Sequence, residues 1–364
     1  MQIATLEHII RRVPLLHGYY MKRAAYIKRR AFIILHHLGL LKPYSFVQWL
    51  VTYRCPFHCA FCEASAGHAH EDELTTFEAR AFIDDLARMG VRRLIFSGGE
   101  PLAREDIFEL LTHANSRKIK IGLATNSYYT PARWEQLQHL EYFLYFTSLD
   151  GLAESHDHRR GAVQSHERVL RSLALCAERR VPMRMVNTVV DKTNINQLEQ
   201  LAVEIRHSGA THWRLTPLAR VGRAVQQDDV FLERADLQWL MAFIRRQPDV
   251  PRTDLGESHT YIGCFAGGFV GNPFFCGAGL TRCAVMPNGD VLGCQQIYDQ
   301  SYSEGNIGQK PFSTIWKEEF GRFRRMAVPE GCRSCEHVQA CQGGCWAEMQ
   351  LNGKCLKALW QEPV

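Results

Sequence analysis

The sequence predicts an α/β protein, a parallel sheet or open barrel of six β/α units followed by a small cysteine-rich module. Three observations carry this. Six short apolar runs alternate with amphipathic segments between residues 46 and 216. From Cys276 onward the composition shifts to glycine and cysteine, and the thirteen cysteines gather in tight clusters at both ends of the body. At 364 residues, 46% of them hydrophobic, the chain can hold a barrel-sized domain with a full core and a smaller one beside it.

The first 44 residues read as a basic helical extension. Ala24, Ile27, Ala31, Ile34, Leu38 and Leu41 recur at steps of three and four and so share one face. Lys22, Arg23, Lys28, Arg29 and Arg30 lie between them. Such a helix either packs on the barrel with its basic face in water or touches an anionic membrane surface or an acidic peptide. Residues 31–41 form an uncharged run too short to span a bilayer. Residues 1–44 carry +7 of the net charge of +5, so the remainder sums to −2, an enzyme-like balance that argues against nucleic-acid binding. No signal peptide opens the chain, and clustered cysteines in an intracellular protein read as metal ligands in a reducing, cytoplasmic compartment.

Strand-like runs occupy residues 46–52, 93–96, 119–124, 142–148, 183–189 and 213–216, with helix-like segments at 75–89, 104–116, 131–139, 164–179 and 194–207. In such folds the C-terminal ends of the strands carry the chemistry. The first strand is followed by Cys55, Cys59 and Cys62, spaced C-x3-C-x2-C. A closed tetrahedral site needs four ligands, whereas an iron–sulfur cluster held by three thiolates keeps one iron open. Three core cysteines, or half of a zinc site, would give the same run. The second strand ends in Ser97-Gly98-Gly99-Glu100-Pro101, whose glycines let backbone approach a ligand. Thr125-Asn126-Ser127 closes the third strand. Ser148-Leu149-Asp150-Gly151 closes the fourth, with His156-Asp157-His158-Arg159-Arg160-Gly161 beyond it, a stretch that also reads as a surface turn. Residues 217–224 follow the sixth strand with Arg220 and Arg223, either aimed at an anionic group or solvated. Residues 225–260 read as a polar linker with one helix at 237–246.

In the C-terminal module, Asn288-Gly289 between two apolar runs reads as a hairpin turn that would hold Cys276 and Cys294 at the ends of a small sheet. Cys283 lies between them, and Cys264 precedes them. Beyond come Cys332-x2-Cys335-x5-Cys341-x3-Cys345 and then Cys355. Paired C-x2-C spacing is also common in zinc ribbons. Cys176, alone in an amphipathic segment, reads as a buried structural thiol.

The three-cysteine run with Gly-Gly-Glu-Pro after the second strand resembles the radical S-adenosylmethionine (SAM) superfamily over residues 46–224. The C-terminal cysteines resemble the SPASM domain over 264–358. The resemblance implies a partial (β/α)6 barrel at 45–224, the linker and helix at 225–260 and an auxiliary-cluster module at 261–364. It implies that Cys55, Cys59 and Cys62 hold a 4Fe–4S cluster whose open iron chelates SAM. Gly98, Gly99, Glu100 and Pro101 would meet the methionyl amino group, and Asn126 stands in the "TNG" turn, with Ser127 where glycine is usual. Ser148 and Arg160 (or Arg159) would meet the ribose or carboxylate, and Asp150 would shape its turn. Phe61 would pack near the adenine or simply in the core. Cys276, Cys294 and Cys345, with Cys283 or else Cys264 as fourth ligand or that position left open, would bind one auxiliary 4Fe–4S cluster, and Cys332, Cys335, Cys341 and Cys355 a second.

By the same resemblance, an electron from a ferredoxin or flavodoxin cleaves SAM to methionine and a 5′-deoxyadenosyl radical, which abstracts a substrate hydrogen. The auxiliary clusters would take the electron left on the substrate or pass electrons through. The substrate implied first is a ribosomally made peptide, crosslinked or oxidised. Small-molecule or cofactor-precursor oxidation (tetrapyrrole, quinone or sugar) is the alternative, and a non-enzymatic iron–sulfur or zinc protein the remote one. The 44-residue extension is too short for the winged-helix leader-binding domain of many peptide-modifying members, so leader recognition would fall to a separate protein or to the basic helix. Sulfatase-maturing relatives place an Asp immediately after the third SPASM-type cysteine position. Here Gln295 and Gln296 follow Cys294, which excludes that activity.

Overall fold

The computed structural model describes residues 14–41, 43, 46–248, 250–256, 275–325 and 328–347. Residues 1–13 of the extension, Cys264 and Cys355 lie outside them. All six expected strands form: β1 (Phe46–Leu50), β2 (Arg93–Ser97), β3 (Lys120–Ala124), β4 (Tyr142–Ser148), β5 (Arg184–Val190) and β6 (His212–Pro217). They pair in parallel in chain order. A seventh parallel strand, β7 (Arg252–Leu255), extends the sheet beside β6 from within the stretch read as linker. Its polar sequence, Arg-Thr-Asp-Leu, hides the strand signal. Asp254 is nonetheless buried and ion-paired with Arg214 of β6.

Each crossover helix buries the face that its spacing marks. Helix α1 (Pro14–His37) precedes the sheet. Helix α2 (Thr76–Arg88) starts at a capping box of Thr75 and Glu78 and buries Ala79, Phe82, Ile83 and Leu86. Helices α3 (Ile107–Ser116), α4 (Trp134–Leu137), α5 (Ala153–Arg160), α6 (Ser165–Glu178), α7 (Leu198–His207) and α8 (Arg234–Arg246) complete the set through β7. The main core lies between the helices and one face of the sheet, around Trp49, Phe96, Leu123, Tyr145, Val186 and Trp213. Ile95, Leu144 and Met185 form a smaller apolar layer on the opposite face. Helix α5 stands where a surface turn was one reading. Gly161 stops it at φ +64, the left-handed cap that leaves Arg159 and Arg160 on its last turn.

The expected C-terminal hairpin forms from β8 (Arg282–Val285) and β9 (Asp290–Leu292), turned through Gly289 at φ +87. The sheet it belongs to is larger than the sequence suggested. Strand β8 lies parallel to β1, with Phe46 opposite Arg282 and Trp49 opposite Val285. β10 (Ser303–Asn306) adds on the far side of β9. The cysteine-rich module therefore continues the sheet on the β1 side.

Helix α1 packs against this module, and its buried face differs from the apolar stripe. Phe32 is buried with its ring 5.4 Å from Phe275, and Arg29 Nη2 donates to Phe323 O at 2.8 Å. Ile27, Ile34 and Leu38 are 38%, 57% and 64% exposed. One aromatic contact and one half-buried guanidinium set the rotation of the helix, overriding the larger aliphatic stripe. Trp316 Nε1 donates to Leu41 O and ties down the end of the segment. Among the described residues no helix is long and apolar enough to cross a membrane.

Candidate active site

The loop after β1 that bears Cys55, Cys59 and Cys62 is clamped by backbone on every side. Glycine is required in the turn after β2 because it lies directly on the loop's start. A Cβ on Gly98, at φ +138, would stand 2.4 Å from Thr52 O, and one on Gly99 would stand 2.6 Å from Arg54 O. Gly99 N donates to Thr52 O and Glu100 N to Arg54 O, at 2.8 and 2.9 Å. Arg104, which no motif marks, is buried and donates to Val51 O and Leu74 O. Glu73 accepts from Tyr53 N at 2.7 Å.

The loop's far side is held by the segment after β6. Gly222 has φ +54, and a Cβ there would meet Cys62 O at 2.3 Å. Arg223 N donates to Cys62 O, its Nε to Cys59 O and its Nη1 to Ala66 O. Arg223 thus braces the cysteine loop, neither solvated nor aimed at a ligand. Arg220 stacks on Phe231 at 3.8 Å.

Glu100 is fully buried and turned inward. It accepts from Leu102 N, Thr125 Oγ1 and Asn126 N, binding the turn after β2 to the end of β3. Burial raises its carboxyl to about 7, against the lowering pull of those donors. Pro101 opens the short turn of 3₁₀ helix that follows. Asn126 directs Nδ2 at Cys55 Sγ, 3.8 Å away, while its Oδ1 accepts from Tyr128 N. Ser127 occupies the glycine position of the turn in the left-handed conformation, at φ +66. Its buried hydroxyl bonds the hydroxyls of Tyr145 and Thr147 at 2.8 and 2.7 Å. Two buried hydrogen bonds offset a strain of about 1–2 kcal/mol.

Asp150 and Arg160 form the third wall. Asp150 Oδ1 accepts from Val189 N, and its Oδ2 pairs with Arg160 Nη2. His156 Nδ1 accepts from Asp150 N at 3.0 Å, and burial pushes that imidazole down to about 3, so the ring stays neutral. Arg160 Nη1 reaches Cys59 Sγ at 3.8 Å. Arg159 is not interchangeable with it: its guanidinium pairs with Asp191 and bonds Thr193. Both guanidiniums lie over Phe61, at 4.9 and 5.1 Å from the ring centre, which fixes that ring beside Cys62. Ser148 ends β4 opposite Asn187.

The donor set fits an iron–sulfur group. Three soft thiols stand on one clamped loop, with a guanidinium beside Cys59 to offset their charge as thiolates and a buried Arg160 Nε still without a partner. Burial pushes Cys55 up to about 12 and raises Cys59, so the bare thiols are protonated and ligation releases those protons. Among the described residues no three candidate ligands converge on a single point.

In the C-terminal module, Cys276 and Cys341 line one recess with Arg29, Phe275, Gln342 and Gly344. The sequence reading had assigned those two thiols to different clusters. Cys294 is within charge range of Cys276, and burial pushes it up to about 12. Cys345 is buried beside Trp346, whose ring meets Phe323 at 4.6 Å. Cys332 and Cys335 sit half-exposed on one turn, Cys335 N donating to Cys332 O. Cys283 is fully buried in β8 opposite Val47 and is raised by burial. Cys176 is buried in the main core, as its isolation suggested. Tyr298, which no motif marks, packs against the cluster of Leu50 from β1 and Ala284 from β8, and burial raises its phenol.

The radical SAM superfamily model matches residues 49–205, and the SPASM model, an iron–sulfur cluster-binding domain, matches 276–336. The mycofactocin maturase MftC of Mycolicibacterium smegmatis is 31% identical over 316 residues, covering 84% of this chain and 79% of that protein. The AdoMet-dependent heme synthase of Methanosarcina barkeri is 29% identical over 320 residues, covering 82% and 90%. Among solved structures, Streptococcus suis SuiB bound to S-adenosylmethionine superposes with a TM-score of 0.69 at 20% identity, over 84% of this chain and 74% of that one. The chain belongs to the radical SAM superfamily and carries the SPASM iron–sulfur domain, an enzyme of SAM-dependent radical chemistry built on 4Fe–4S clusters.

Proposed function

We propose that the protein is a peptide maturase that removes a hydrogen from its substrate at the strand-end site and disposes of the surplus electron through the C-terminal cysteines. The observation that carries this reading is the parallel pairing of β1 with β8. It joins the sheet that ends in the loop of Cys55, Cys59 and Cys62 to the strand that carries Cys283 and leads to Cys294. Cys55, Cys59 and Cys62 would hold the SAM-binding cluster. Cys276, Cys294 and Cys345 would hold one auxiliary cluster, with Cys283 or Cys264 as its fourth ligand or an open position, and Cys332, Cys335, Cys341 and Cys355 the other.

Bound together, the cluster and SAM supply a 5′-deoxyadenosyl radical. The chain's own residues position the reaction. Gly98 and Gly99 hold the turn against the loop, Asn126 and Ser148 border it, and Phe61 is locked by Arg159 and Arg160. Glu100 and Asp150 act from behind, as struts. A ferredoxin or flavodoxin is the proposed reductant. The peptide reading is supported by the maturase relatives and by a solved structure of the same fold, SuiB bound to the precursor peptide SuiA. The heme synthase relatives support tetrapyrrole oxidation as the second reading.

Anaerobic incubation with SAM and dithionite tests both. Candidate precursor peptides encoded beside the gene should stimulate 5′-deoxyadenosine formation and lose mass in hydrogen-sized steps. Cys59→Ala should abolish cleavage while keeping the auxiliary iron. Stimulation by a tetrapyrrole and by no peptide would replace the first reading with the second.

A further inference from the structure

The N-terminal helix places a half-buried cation outside the residues that the family models match. Arg29 projects from α1 into the recess it shares with Cys276 and Cys341. Its Nη2 donates to a carbonyl, Phe323 O. Among the described residues no carboxylate pairs with it, so the positive charge is offered to the recess. Phe32, one turn on, is buried against Phe275, the residue before Cys276, and holds the helix over this spot. Half-burial without a carboxylate costs free energy unless an anion shares the site. Thiolate-ligated iron–sulfur clusters are anionic, and each becomes more negative by one charge on reduction.

We propose that Arg29 is a positioning residue for the auxiliary iron–sulfur group at Cys276, and that α1 is a cover whose guanidinium sets the reduction potential of that group. A cation beside the group favours its one-electron-reduced form, since the added electron meets the guanidinium across a poorly screened recess. That is the direction required of an acceptor taking the single electron left on a substrate radical. The helix also covers one side of the recess, and solvent exposure is itself one of the determinants of potential. Charge and cover are separable, because a neutral isostere keeps the second and removes the first. The inference rests on Cys276 being a cluster ligand, and the test is arranged to separate the two.

Anaerobically reconstituted wild type, Arg29→Gln and Arg29→Lys are assayed for iron and sulfide. They are then titrated with dithionite under electron paramagnetic resonance. Arg29→Gln should shift the midpoint of one auxiliary signal to lower potential and leave the SAM-binding cluster unmoved. Arg29→Lys should stay near wild type. An unmoved midpoint in a fully loaded Arg29→Gln overturns the inference while leaving the site standing. An equal shift in Arg29→Lys also overturns it, since the role would then be packing. If Arg29→Gln loses auxiliary iron, its recovery in Arg29→Lys supports the inference and loss in both overturns it. Wild type without auxiliary iron overturns the site and the inference together.

Discussion

Arg160 reaches Cys59 Sγ at 3.8 Å through one terminal nitrogen while the other pairs with the fully buried carboxylate of Asp150. Asp150 is therefore a remote support of the cysteine loop, acting through the guanidinium. Asp150→Ala leaves a buried cation unpaired and should cost about 3–5 kcal/mol, read as a lower urea midpoint. It should also lower iron retention at Cys55, Cys59 and Cys62. Unchanged stability would mean that Arg160 finds another acceptor.

The turn at Ser127 gives a comparison of two substitutions. Ser127→Ala keeps the left-handed strain and loses both hydroxyl bonds to β4, so it should destabilise by about 1–3 kcal/mol. Ser127→Gly loses the same bonds but relieves the strain, and should cost less by about 1 kcal/mol. Urea unfolding of the pair checks the order, and the reverse order would show that the left-handed backbone costs alanine nothing at this position.

Glu100 should make stability depend on pH in an unusual direction. Its carboxyl is raised from 4.5 to about 7, so between those values the folded state keeps a proton that the unfolded chain has lost. Stability should then fall as pH rises through this window, by about 3 kcal/mol in total, and level off above it. Most buried carboxylates paired with cations give the opposite slope. In Glu100→Gln this component should vanish, which denaturation at pH 5 and pH 8 would reveal as a smaller difference between the two.

Gly222→Ala tests the clamp on the far side of the loop. Its Cβ would be driven into Cys62 O and Glu63 O, at 2.3 and 2.4 Å, in a conformation already costly for alanine. Iron content should fall from about twelve to about eight per chain, since each cubane holds four. SAM cleavage should disappear with it. Retention of all the iron would mean that the loop yields without losing its ligands.

Much of this was legible because the strand order follows the chain and each motif directly follows a strand. The six runs gave the six strands, and Gly98 and Gly99 lie against the cysteine loop as their position after β2 implied. The misses share a cause, which is that long-range packing decided them. Strand β7 has a polar sequence that pattern alone does not mark, and β8 gives no sign of its partner, more than two hundred residues earlier. Arg223 reads as a loop arginine until the carbonyls of Cys59 and Ala66 are placed around it. The stripe on α1 is regular, yet Phe32 and Arg29 choose the buried face.

The pairing of β1 with β8 has a consequence in time. During synthesis the strand that leads into the radical site leaves the ribosome with one edge vacant. Its partner follows only after the whole barrel has been made, on the order of ten to fifty seconds later at elongation rates of about 5–20 residues per second. Through that interval the β1 edge stays open to unintended strand pairing. Arrival of residues 282–285 closes the sheet and brings the two cysteine regions together in one event.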